Sequence, residues 1–231
     1  MKRIAIIPAR GGSKRIPRKN IKLFLGKPII AYSIKAALDS KLYDTVMVST
    51  DDEEIKNIAM KCGAAVPFMR SIKNADDHAT TVDVLLEVIK AYEKQGERYD
   101  QGTCLYPTAP LVSMNSLTLS FDLLKETNAD TVITMTNFSY PIERALVLED
   151  NKVAFANKEN ILKRSQDLQE YYHDTGQFYT FDIAKLKDKK SLFTDNSYAI
   201  KLSNLKVQDI DTIEDWKLAE LKYQAIYGAQ V

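Results

Sequence analysis

Short buried-strand patterns alternate with helix-period segments along the first half of the chain. Arg3–Pro8 reads as a buried strand, and Ile29–Leu38 places apolar residues at helical spacing. Thr45–Ser49 predicts a second strand. Thr50-Asp51-Asp52-Glu53 then reads as a capping box opening a helix through Met60, which Gly63 stops. Ala64–Phe68 predicts a short third strand. The face Val84, Leu85, Val88, Ile89 and Tyr92 predicts a helix over Thr80–Ala91. Thr103–Tyr106 (strand), Met114–Glu126 (helix) and Thr131–Thr136 (strand) continue the alternation. Such a rhythm predicts an α/β fold, a mostly parallel sheet with helices on both faces.

After Asn137 the rhythm changes. Arg144–Leu148 and Lys152–Phe155 flank Glu149-Asp150-Asn151 and predict a hairpin, and the polar stretch Asn157–Gln169 lacks periodicity. Sheet patterning returns at Gln177–Phe181. A last helix is expected over Thr212–Ile226, capped by Asp211 or Thr212. The chain therefore reads as one domain over 1–231, with 138–172 as an excursion suited to a dimerisation arm.

Composition narrows the function. In 231 residues, 45% are apolar and 27% charged, an ordinary globular mixture. No apolar run approaches the ~20 residues of a membrane span. The basic start followed by Ile4-Ala5-Ile6-Ile7 is too short for a signal peptide before Pro8, so a cytoplasmic location is expected. Cys62 and Cys104 suggest neither a disulfide framework nor a zinc site. The net charge of +1 gives no global pull toward nucleic acid or membrane. Charge is uneven locally, however: the first acidic residue is Asp39, and the preceding segment is strongly basic. An RNA-binding face would interleave aromatics with these cations, yet Arg10–Lys22 has none.

The basic segment includes Pro8-Ala9-Arg10-Gly11-Gly12-Ser13-Lys14-Arg15-Ile16-Pro17-Arg18-Lys19-Asn20, directly after the first strand. That position is the carboxyl edge of the sheet, where open α/β folds bind ligands. Gly11 and Gly12 would let backbone N–H groups approach an anion, while Arg10, Lys14 and Lys19 suit a triphosphate. Neither a P-loop nor a dinucleotide fingerprint is present. Far along the chain, Asp209 and Asp211 share a face if their segment is extended. Two carboxylates with phosphate oxygens and water suit Mg2+. On their own, Asp211 reads better as a helix cap and Asp209 as a solvated side chain.

The Ile7–Asn20 stretch resembles the signature of the CMP-sialic acid synthetase family, cytidylyltransferases that activate acidic sugars. The similarity extends to Val48–Ile55, Arg70 with Asp76–Thr81, Tyr106–Leu111 and Gln208–Thr212. It implies a Rossmann-like nucleotide-binding fold, a homodimer, Mg2+, and CTP and an acidic nonulosonic sugar as substrates. It further implies that Asp209 and Asp211 hold the metal. Ala9, Arg10, Gly11, Gly12, Ser13, Lys14, Asn20, Arg70, Ala79 and Thr81 are the implied nucleotide-binding residues. Arg10, Lys14, Lys19 and Asp211 would be catalytic.

Arg164–Leu168 with Tyr171–Tyr179 resembles the pseudaminic acid branch; Thr175-Gly176-Gln177 and Tyr106 depart from the sialate pattern. The implied sugar-binding residues are Tyr106, Arg164, Gln166, His173, Gln177, Phe178 and Tyr179. Sialic, legionaminic and keto-deoxyoctonic acids are the alternative acceptors, and a silent nucleotide-binding protein is the alternative of a different class. His173-Asp174 invites a general-base role, but neighbours on a strand face opposite ways. His78 reads as a loop residue.

Overall fold

The computed structural model describes residues 1–76 and 79–228. In chain order its strands are β1 (Arg3–Pro8), β2 (Leu23–Phe24), β3 (Lys27–Pro28), β4 (Thr45–Ser49), β5 (Gln101–Leu105), β6 (Thr131–Asn137), β7 (Leu146–Glu149), β8 (Lys152–Phe155), β9 (Tyr172–Asp182) and β10 (Ser197–Lys201). The helices are α1 (Ile29–Ser40), α2 (Glu53–Lys61), α3 (Thr81–Lys94), α4 (Met114–Thr127), α5 (Ile183–Lys189) and α6 (Ile213–Tyr227).

Among the described residues, six strands form one sheet in the order β10-β6-β9-β5-β1-β4. The β1–β4, β1–β5 and β6–β10 pairs are parallel, and β9 runs antiparallel between β5 and β6. Strand alternation divides β1 between two cores. Ala5 and Ile7 pack with Ile30, Ile34 and Leu117 on one face, and Ile4 and Ile6 with Leu85, Val88 and Leu186 on the other. Helices thus cover both faces, a Rossmann-like α/β arrangement.

Three expectations are corrected. Ala64–Phe68 makes only a single parallel bridge, Met47 to Ala65, because Pro67 has no N–H with which to continue a ladder. The cap of α2 is Asp52, which accepts Glu54 N–H and Ile55 N–H at 3.0 and 2.9 Å. With Asp52 as cap, the position three residues on is Ile55, so no reciprocal box forms. Lastly, β9 begins well before Gln177. Along its pairing with β6, β6 advances from Ile133 to Met135 while β9 runs back from Tyr179 to Asp174. The surplus residues bulge out, with Gly176 at φ +61, a conformation that favours glycine. The α6 expectation holds: Thr212 caps it in a reciprocal box with Asp215.

Candidate active site

A small core joins the basic loop to the acidic segment. Ile16 from the loop and Ile210 from between the two aspartates are buried together with Phe24, Ile29, Trp216 and Ala219. Burying Ile210 leaves Asp209 and Asp211 to line the same cleft. Asp211 receives Arg15 Nη1 at 2.7 Å and lies 3.5 Å from Lys19 Nζ, which also donates to the Ile210 carbonyl at 2.5 Å. Segments almost two hundred residues apart are thereby brought to one place. Arg15 was missed in the sequence, where nothing distinguishes it from its basic neighbours.

The loop cleft, about 380 Å3, is lined by Arg10, Ser13, Lys14, Arg15, Lys19 and Asn20, with Tyr106 opposite. Gly11 acts differently from the expectation. The N–H of Gly11 donates to Asp51 Oδ1 at 3.0 Å, and a Cβ there would lie 2.8 Å from Asp52 Oδ2. Gly11 is therefore needed for close approach to α2, and its N–H is taken by the Asp51 carboxylate. The N–H of Ser13 is likewise used within the loop, bonding the Gly11 carbonyl. Arg10, Lys14, Arg15 and Lys19 give the cleft its cationic side chains. Arg18 is committed elsewhere: it grips Asp52 at 2.5 and 2.9 Å and Glu54 at 2.5 Å, pinning the loop to α2. Those bonds hold Asp52 at about 2, well below the ordinary carboxylate range.

A neighbouring cleft of about 190 Å3 is bounded by Arg10, Arg70, Ala79, Thr81 and Tyr106. Arg70 is buried, with Nε on Ser49 Oγ at 3.0 Å, and burial lowers its pKa. Asn20 donates to the Arg10 carbonyl at 2.9 Å and fixes the loop's exit. Ala9 spends its N–H on the Ser49 carbonyl at 2.9 Å. The Ala79 N–H is held by Asp76 Oδ1 at 2.8 Å, and Arg10 Nη1 reaches the Asp76 carbonyl at 3.3 Å. His78 lies outside the described residues.

The residues expected around a sugar divide. Tyr106 borders both clefts, and His173 lines the acidic one. His173 Nδ1 meets the Asp174 carbonyl at 2.8 Å and not its carboxylate, which removes the general-base pair. Phe178 is corrected: its ring is fully buried with Ile7 and Leu105 and faces no cleft. Gln177 is corrected too. It is 2% exposed, and its Nε2 turns inward to the Lys206 carbonyl at 2.5 Å. Tyr179 is buried and gives its hydroxyl proton to Asp174, a partner that sequence reasoning passed over. Arg164 and Gln166 sit exposed on the arm, Arg164 paired to Asp167 at 3.0 Å.

In the acidic cleft, packed protein around the Asp209 carboxyl and the neighbouring Asp211 raise it above the ordinary carboxylate range, while Lys19 acts in the other direction. Two facing carboxylates are a donor set that a divalent cation would relieve. Lys222, another residue not foreseen, donates to the carbonyls of Asn204 (3.0 Å) and Val207 (2.6 Å) and to Gln208 Oε1 (3.0 Å), so it secures the strand of chain leading into Asp209.

A cationic turn at the carboxyl edge of a mostly parallel sheet, faced by paired aspartates, is the constitution of a nucleotidyltransferase. The cytidylyltransferase family model matches residues 4–229, and the chain belongs to that family. It is 42% identical over 225 residues to the pseudaminic acid cytidylyltransferase of Campylobacter jejuni, covering 97% of each chain. To the CMP-N,N'-diacetyllegionaminic acid synthase of Legionella pneumophila it is 29% identical, covering 98% of this chain and all of that one. Among solved structures, a CMP:2-keto-3-deoxy-manno-octonic acid synthetase complexed with CTP matches at TM-score 0.68 and 18% identity, over 98% of this chain and 99% of the other, a likeness of fold.

Proposed function

We propose that the chain transfers CMP from CTP to the anomeric hydroxyl of pseudaminic acid, releasing pyrophosphate. The observation that carries this reading is Asp211 held by Arg15 and Lys19 beside the cleft of Arg10 and Lys14. The identity to the Campylobacter jejuni enzyme over almost the whole chain supports the choice of sugar. The new bond joins the anomeric oxygen to the α-phosphorus. The bond broken joins that phosphorus to the oxygen bridging to the β-phosphate, and the hydroxyl proton is released. Charge grows on the departing phosphates, so Arg10, Lys14 and Lys19, fixed beside them, lower the barrier more than they stabilise bound CTP. Asp209 and Asp211 would hold Mg2+, which when bound neutralises phosphate charge. Tyr106 and His173 are the sugar contacts offered by the core domain.

The 138–172 arm completes the proposal as a homodimer contact. Leu148, Val153 and Leu162 are 68%, 64% and 95% exposed there, apolar surface that a second copy would cover. Arg164 and Gln166 would reach the sugar from this arm. No helix among the described residues is long and apolar enough to cross a membrane, and a cytoplasmic site of action is part of the reading.

The test is pyrophosphate release from CTP with a panel of pseudaminic, N-acetylneuraminic, legionaminic and keto-deoxyoctonic acids. Pseudaminic acid is expected to give the highest kcat/KM. A higher value with another acid overturns the choice of sugar, and release with none, CTP binding intact, identifies a silent nucleotide-binding protein.

A further inference from the structure

Two cations meet Asp211, and they are held in different ways. Lys19 has a side chain 20% exposed and donates to the Ile210 carbonyl at 2.5 Å, an anchor that does not depend on the carboxylate 3.5 Å away. Arg15 has a side chain 68% exposed, and its Nη1 contacts Asp211 Oδ2 at 2.7 Å. Arg15 also lines the loop cleft with Arg10, Lys14 and Lys19, whereas Asp211 lines the acidic cleft with Asp209. The guanidinium therefore stands on the boundary between the cationic cleft and the acidic one. Its partner is fixed from behind: Asp215 Oδ2 accepts the Asp211 N–H at 3.1 Å and the Thr212 N–H at 2.8 Å. Of the three groups, Arg15 is the one with room to move.

An ion pair this exposed contributes little to stability, so another cation can take the carboxylate at small cost. A divalent cation held by Asp209 and Asp211 would bring two positive charges to the carboxylate that Arg15 contacts, and the two cations would compete for it. A guanidinium displaced from a carboxylate finds an equivalent partner in a phosphate, because its planar fork of N–H donors matches either group. The loop cleft that Arg15 already lines is where the proposed reaction puts the triphosphate.

We infer that Arg15 is exchanged between two partners: it neutralises Asp211 before substrates bind, and it passes to a phosphate oxygen of CTP when a divalent cation takes that carboxylate. The inference rests on the proposed reading of Asp211 as a metal ligand and adds to it a phosphate contact that the sequence did not single out. Metal and nucleotide then favour each other's binding, since one releases the guanidinium and the other gives it a new acceptor, and the coupling is reciprocal. Removing Arg15 has opposite consequences for the two ligands, which the loss of a purely structural contact would not produce.

The experiment titrates Mn2+, followed by electron paramagnetic resonance, into nucleotide-free wild-type protein, Arg15→Met and the double variant Arg15→Met with Asp211→Asn. CTP is titrated calorimetrically at saturating Mg2+ into the first two. Arg15→Met is expected to bind Mn2+ about fivefold more tightly than wild type, the scale of an exposed ion pair removed. It is expected to bind CTP about tenfold more weakly, the scale of one hydrogen bond to a charged group. Mn2+ affinity unchanged or lowered in Arg15→Met, or CTP affinity unchanged, overturns the exchange and leaves the metal reading standing. Tight Mn2+ binding by Arg15→Met that survives the further change Asp211→Asn overturns the metal reading and the exchange with it.

Discussion

The basic loop and the arm are both polar-looking stretches between regular elements, yet they are built in opposite ways. The loop carries its own anchor: Ile16 is buried against Ile210 and Trp216, Arg18 clamps Asp52 and Glu54, and Lys19 reaches the Ile210 carbonyl. The β7–β8 hairpin of the arm buries almost none of its side chains, and Leu146 and Leu148 stand open to solvent. A loop that must hold cations in place before substrate arrives needs internal packing, because rigid placement is what makes those cations effective in the transition state. Under the proposed homodimer, the arm would take its packing from the second copy.

The comparison breaks most visibly if the small core is emptied. Trp216→Ala is expected to cost about 3–5 kcal/mol by large-to-small truncation, read in urea unfolding, and to loosen Asp211 from the loop. A loss below about 1 kcal/mol would mean that this core does not weld the two segments. The next effect is on chemistry. Asp211→Asn and Arg10→Ala are each expected to lower turnover by at least about a hundredfold, measured as pyrophosphate release, with thermal stability kept. Near-normal release by both variants refutes their roles.

On the arm, Leu148→Asp is expected to weaken self-association by about tenfold or more, the scale of a central interface residue, while leaving the folded monomer as stable as before. Sedimentation of the wild-type protein as a monomer at micromolar concentration would remove the arm's proposed role. The smallest effect is on acid stability. Asp52 falls to about 2 when folded through its bonds to Arg18, so the pair contributes fully above about pH 4 and its contribution is lost as pH falls toward about 2. Arg18→Met should lower stability near neutrality by the pair's full contribution, with the difference from wild type closing as pH falls toward about 2; an unaltered pH profile would show that the clamp contributes nothing.

The alternation of apolar strands and amphipathic helices was readable because burial on both faces of a sheet imposes it directly on local sequence: Ile4-Ala5-Ile6-Ile7 could scarcely be anything else. The loop was legible as cationic, and the aspartates as a pair two residues apart, because charge and spacing are local properties. What Gly11 does in that loop was decided by tertiary structure, since the Asp51 and Asp52 side chains that claim it come from another βα turn. The partnership of Arg15 with Asp211 depends on a core assembled from both ends of the chain. Gln177 and Phe178 looked like ligand contacts, but Phe178 pairs in register with Leu105 of β5 and Gln177 bonds the Lys206 carbonyl, so both side chains are buried. Spacing along a chain reports which side chains can share a face. Only the folded chain reports which of them have already been claimed by a partner from elsewhere.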